Sequence, residues 1–163
     1  MVNLDSLEEI KKLDKGRVLD TIERLSNQIR QAWKEVKSGD VPASCSLAKN
    51  VIVSGMGGSA LGGRIVDSLL ADRARVPIEV FTEYNLPNYV KADTLVILCS
   101  YSGNTEETLA VGKEALNRGA MLYGITTGGK LKEFLTQNGV SGYIFEPREN
   151  PSNKPRMGLG YSI

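Results

Sequence analysis

Histidine is absent from this sequence, and cysteine occurs only twice. Without an imidazole, the chain cannot build a Ser-His-Asp or Cys-His nucleophile pair of its own. Two cysteines, Cys45 and Cys99, cannot make a zinc site alone, and they are too few for a disulfide framework. Cys99 falls inside the apolar run TLVILCS and reads as a small buried hydrophobe rather than a reactive thiol. Any acid–base chemistry must therefore use Asp, Glu, Lys, Tyr or a group from another chain. No metal and no cofactor is expected. Long apolar runs are also missing. None approaches the ~20 residues a membrane-spanning helix needs, and the N-terminal MVNLDSLEEIKKLDKG is charged throughout with no signal-peptide core. A cytoplasmic location is the expectation. Nor is there a surplus of charge: 20 basic residues face 19 acidic ones, for a formal net charge of +1. Neither nucleic acid nor a membrane surface is expected as a partner. An anionic ligand has to be held by local geometry instead of a global field.

What is present suits one globular domain. The chain has 163 residues, of which 41% are hydrophobic and 24% charged, enough to bury a core without staples. Between Gly16 and Lys37, apolar groups at Val18, Ile22, Leu25, Ile29, Trp33 and Val36 recur every three or four residues. The spacing predicts one helix with a buried apolar face, packed on a sheet or on a partner. From residue 50 the texture changes. NVIVSG, PIEVF (77–81), DTLVILCS (93–100), AMLYGIT (120–126) and GYIFEP (142–147) read as five short strands. Continuous β-branched runs of this kind suit parallel strands covered on both faces. Helical patterns at 59–71, 105–118 and 129–138 alternate with them, and TEYNLPNYVKA reads as a loop. The expectation is a three-layer αβα domain. Its five-stranded parallel sheet takes the flavodoxin-like order 2-1-3-4-5, with a core including Leu19, Ile22, Ile29, Val51, Val53, Leu95, Ile97, Leu98 and Ile125. Residues 1–45 form an N-terminal helical segment and 46–150 the α/β domain. The proline-rich 151–163 is expected to leave the domain in extended form.

In such a sheet, loops at the carboxyl ends of the strands hold the ligand. The first, SGMGGSALGG, lets the backbone approach a ligand closely and opens a helix whose free N–H groups suit an anion. Gly55, Gly57 and Ala60 also match the weak dinucleotide pattern G-x-G-x-x-A, with Glu83 about where a ribose-binding acid would stand. A P-loop is excluded, because Arg64 and Ile65 follow Gly63 where Lys and Ser/Thr are required. The second loop, SYSGNTEET, crowds the hydroxyls of Ser100, Ser102 and Thr105 around a turn, with Thr105 at a helix N-cap and Glu106 and Glu107 in the first turn. These hydroxyls form a neutral nest for a phosphate dianion. The third, TTGGKL, either touches the ligand or turns the chain. Lys130 there reads as solvated.

The four segments GMGGSALGG, SYSGNTEETL, ITTGGKL and KPRMGLGYS, with EYNLP between them, resemble the bifunctional phosphoglucose/phosphomannose isomerases of the sugar isomerase (SIS) type. The resemblance runs from about residue 15 to the last residue. It implies two SIS domains per chain, a dimer, and aldose–ketose isomerisation of glucose or mannose 6-phosphate to fructose 6-phosphate through an enediol. It implies that Ser100, Ser102 and Thr105 hold the phosphate, that Gly57, Gly58 and Ser59 contact the sugar, and that Arg156 acts catalytically by steadying the anionic intermediate. In that family a second SIS domain supplies a glutamate base, a ring-opening histidine and a lysine, and none has a counterpart here. The expectation is a phosphosugar-binding half, inactive alone, completed by a homodimer partner or a missing second SIS domain. The alternatives are a non-catalytic phosphosugar sensor and a nucleotide-binding Rossmann domain using Glu83.

Overall fold

The computed structural model describes residues 3–36 and 41–163. Five parallel strands form one sheet: β1 (Asn50–Ser54), β2 (Ile78–Phe81), β3 (Thr94–Ser100), β4 (Met121–Thr126) and β5 (Gly142–Ile144). Their order is β2-β1-β3-β4-β5, as the strand–helix alternation predicts. The helices are α1 (Leu7–Leu13), α2 (Val18–Glu23), α3 (Leu25–Glu35), α4 (Gly58–Leu70), α5 (Glu106–Asn117) and α6 (Gly129–Gln137).

Side chains alternate across a strand, and here the two faces fare differently. Ile52, Val96, Leu98 and Leu122 point to one face and are buried against Val111 and Ala115 of α5 and Leu131 and Leu135 of α6. This is the main core. On the other face, Tyr123, Tyr143, Phe145 and Tyr161 form an aromatic cluster with Ala32 of α3. The Phe145 ring stacks on Tyr143 at 5.0 Å and on Tyr161 at 4.4 Å. Of the residues expected in the core, Val53 and Leu98 are buried. Val51, Leu95, Ile97 and Ile125 are only half-buried, because this second face is incompletely covered, and Leu19 on α2 is half-buried too.

The N-terminal helix departs from expectation twice. The chain leaves helical geometry at Arg24 (φ −90°, ψ 3°), which separates α2 from α3, and the predicted end at Lys37 lies outside the described residues. The apolar stripe also faces away from the core. Ile22, Ile29 and Trp33 are 57%, 38% and 86% exposed, whereas Thr21 and Gln28 are buried with Ala32. The reason is the surface α2 and α3 meet. It is mainly the C-terminal segment, with the sheet touched through Ala32 and Glu35, and the backbone of that segment presents polar groups that an apolar side chain would leave unpaired. That segment coils rather than extends: Pro155–Ser162 forms two short 3₁₀ pieces kinked at Gly158 (φ −92°, ψ 23°), a strap lying across α3 and α4. Sequence spacing gave no element to α1, which is capped by Ser6, whose hydroxyl accepts the Glu9 N–H.

Glycine at position 124 is required by packing. A Cβ there would run into the Leu135 side chain from α6. Gly124→Ala is expected to lower stability by about 1–3 kcal/mol through overpacking, read as a lower urea midpoint with an unchanged slope.

Candidate functional site

Two of the three loops meet at the carboxyl edge where β1 and β3 lie side by side. In an open parallel sheet this is where the chain order reverses and ligands bind. The first loop turns from β1 into α4 through Gly57, at φ 54° and ψ −118°. That conformation strains any residue with a Cβ. The same choice leaves α4 without a side-chain cap, and the Ser59 N–H is satisfied within the loop by the Met56 carbonyl at 3.0 Å.

The second loop is built around hydroxyls. Ser100 is buried, accepts the Gly103 N–H at 3.1 Å, and bonds through Oγ to Thr105 Oγ1 at 2.7 Å. Thr105 stands at the N-cap of α5, yet its side chain makes no capping bond, since it is engaged with Ser100. Among the described residues, none of the Glu106, Glu107 and Thr108 N–H groups donates to the protein. Thr108 Oγ1 is buried without a partner beside them. Ser102 is exposed, and its Oγ accepts the Asn104 N–H at 3.3 Å. The result is a cluster of free donors at a positive helix end. Glu106 and Glu107 belong to the same first turn. The charge of Glu107, then burial, then Glu106 push the Tyr84 phenol above its ordinary pKa.

Ser59 joins the loops: its Oγ accepts the Tyr101 N–H at 3.1 Å. The third loop buttresses the second. Thr127 donates from N (3.1 Å) and Oγ1 (2.7 Å) to the Tyr101 carbonyl, and Leu131 N donates to Gly103 O at 2.8 Å. Gly103, at φ 70°, cannot carry a Cβ, which would collide with the Gly128 carbonyl. Lys130 is exposed, as its sequence context predicts.

Arg156 comes to this edge from the strap. A Cβ on Gly58 would lie 2.8 Å from the Arg156 Cα, so the strap backbone rests on the first turn of α4. The Arg156 side chain is exposed and makes no ion pair among the described residues. Gly57, Gly58, Ser59, Ser100, Ser102, Thr105 and Arg156 thus gather at one edge. Glu83 is exposed in the loop after β2. Sequence reasoning passed over Tyr101, although it sits between Ser100 and Ser102. Its ring packs against Gly158 and Phe145, and its hydroxyl accepts the Asn150 Nδ2–H at 2.7 Å. The space beneath the strap, lined by Ser59, Cys99, Tyr101 and Ser162, holds about 10 Å³, no more than one water. Among the described residues no three of Cys, Asp and Glu come together as a metal site, and no helix is long and apolar enough to cross a membrane.

A doubly wound α/β domain with an uncapped, hydroxyl-rich helix start at its switch point falls in the class of domains whose ligands bind at that edge. Within that class the chain belongs to the SIS domain family, whose model matches residues 46–132. It is 40% identical over 147 residues to the bifunctional phosphoglucose/phosphomannose isomerase of Caldicellulosiruptor bescii, a match covering 90% of this chain and 42% of that protein. It is 35% identical over 120 residues to the D-glucosamine-6-phosphate 4-epimerase of Sulfolobus acidocaldarius, covering 69% of this chain and 37% of that one. The fold matches the crystal structure of tagatose-6-phosphate ketose/aldose isomerase from Escherichia coli. The TM-score is 0.65 at 18% identity, over 87% of this chain and 44% of that one. The chain therefore spans less than half the length of these relatives.

Burial pushes the Cys99 thiol up to about 12, outweighing the lowering effect of Ser59 and Ser162. Only Cys45 has access to solvent. A thiol-reactive dye at pH 8 is expected to label one cysteine per folded chain and both in denaturant. Rapid labelling of Cys99 in the native state would show that the strap opens.

Proposed function

We propose that this chain is the phosphate-gripping half of an aldose–ketose phosphosugar isomerase of the phosphoglucose/phosphomannose type. One observation carries the reading. The N-cap hydroxyl of α5 is diverted to Ser100, which leaves three first-turn amides free among the hydroxyls of Ser100, Ser102 and Thr105. A helix start of that kind is suited to a phosphoryl dianion. The named activities of the relatives support a six-carbon sugar phosphate as its bearer.

In this reading the phosphate docks on the second loop, and the sugar lies over Gly57, Gly58 and Ser59. Arg156 faces the atoms that become an enediolate, where a fixed positive charge stabilises the developing oxyanion. Isomerisation also needs a base to move a proton between adjacent carbons, worth about 10²–10⁴-fold. The chain brings no histidine, and Glu106 and Glu107 serve the helix dipole. A second SIS unit therefore completes the site, and the chain alone binds without turnover.

The same reading gives the exposed stripe of α3 a partner. Ile29, Trp33, Tyr123, Ile125 and Tyr143 line an apolar groove of about 230 Å³, the kind of surface that marks an interface. A second SIS unit, either another copy or the portion of the relatives unmatched here, covers it.

Calorimetric titration with fructose 6-phosphate tests the ligand. Binding is expected to fall by about ten-fold or more in Ser100→Ala/Ser102→Ala, as two hydrogen bonds to a charged group are lost. NADH is expected not to bind. Fructose 6-phosphate affinity unchanged in the double variant sinks the reading. Trp33, the one tryptophan, reports the interface. Its emission is expected to shift to shorter wavelength as chain concentration rises or when a second SIS unit is added. A constant emission under both conditions removes the stripe from the proposal.

A further inference from the structure

We infer that Gln28 is a positioning residue that sets the register of the strap, and with it the placement of Arg156 over the first glycine loop. The inference rests on the phosphosugar reading above and extends it to a residue on a different element.

Gln28 is fully buried on α3. Its Nε2 donates to the carbonyls of Met157 at 2.8 Å and Glu149 at 3.0 Å, and its Oε1 accepts the Gly160 N–H at 3.0 Å. One amide thus holds the residue after Arg156 and two points that bracket it. The fit is close: a Cβ on Gly160 would lie 2.6 Å from the Gln28 Cβ. The opposite side of the strap is tied to the second loop. Asn150 Nδ2 donates to the Tyr101 hydroxyl at 2.7 Å and to the Lys154 carbonyl at 3.0 Å, and Gly158 lies against the Tyr101 ring.

Adhesion alone does not require a buried amide. An apolar side chain packed on an apolar strap would stick without the cost of desolvating polar groups. What three directed hydrogen bonds add is register. In a 3₁₀ segment, slipping by one residue moves a side chain by about 2 Å and rotates it by about a third of a turn. That displacement carries the Arg156 guanidinium off the loop while leaving the strap attached. Arg156 has no ion pair of its own to correct it. Among the described residues the strap reaches the second loop through Tyr101 alone, and none of the Ser100, Ser102 and Thr105 hydroxyls bonds to it; a change of register therefore acts first on Arg156.

The test separates the two ends of the ligand. The full 163-residue chain and its Arg156→Ala, Gln28→Met and Gly160→Ala variants are titrated with inorganic phosphate and with fructose 6-phosphate, followed by amide NMR. Circular dichroism and phosphate binding verify folding in the same samples. Gln28→Met is expected to change phosphate affinity by less than about two-fold and to weaken fructose 6-phosphate by about ten-fold, the loss expected when one hydrogen bond to a charged group goes. Arg156→Ala is expected to show the same split, and the Gln28→Met/Arg156→Ala double variant no further loss. If Gln28→Met does not fold, Gly160→Ala, which pushes against Gln28 from the strap side, provides the same reading. Fructose 6-phosphate affinity unchanged in the folded variant, or losses that add in the double variant, overturns the positioning role and leaves the phosphosugar reading standing. A wild-type chain that binds neither phosphate nor fructose 6-phosphate overturns both.

Discussion

The carboxyl edge of the sheet is organised around one diverted hydrogen bond. An N-cap threonine ordinarily spends its oxygen on the helix it precedes. Here Thr105 bonds Ser100 instead, at 2.7 Å, and α5 begins uncapped. Three further features keep that arrangement in place. Ser100 is buried at the end of the central strand. Gly103 supplies the left-handed turn. The third loop clamps the second through Tyr101 O and Gly103 O. Fixing donors before any ligand arrives removes the ordering cost from the moment of binding.

The strap is the second organising element, and it works through missing side chains. Gly58, Gly62, Gly158 and Gly160 stand where a Cβ would meet Arg156, Ser162, Tyr101 and Gln28. Backbone can then lie on helix and ring, so residues distant in the sequence join the edge where the loops converge. Glycine inside α4 weakens the helix intrinsically by about 1 kcal/mol per residue relative to alanine. Tertiary contact with the strap offsets that weakness.

Much of this was legible in the sequence. The five strands and their order follow from short β-branched runs alternating with helical periods, because burial on both faces of a parallel sheet leaves that mark. The three loops were legible because glycines and hydroxyls cluster at strand ends. The N-terminal helices were read with the wrong face inward. Periodicity shows that Ile22, Ile29 and Trp33 share a side of a helix; it does not say whether this chain covers that side. The path of the strap was illegible for a related reason. Its partners are the backbone and the amide of Gln28, a residue that pattern reading treats as surface. Segment α1 was missed despite a signal, since Ser6 and Glu9 have the spacing of a capping box.

The carboxylates at the start of α5 bear on what the proposed phosphate site would accept. Glu106 and Glu107 share the first helical turn with the free amides. In the phosphosugar reading, a compact terminal phosphoryl group would bring a single dianion to those amides. A diester embedded in a polyanion would also bring its neighbouring charges toward the two carboxylates, at a Coulombic cost. Selectivity against nucleic-acid backbones would then follow from how a helix dipole is balanced, with no additional residue needed to enforce it.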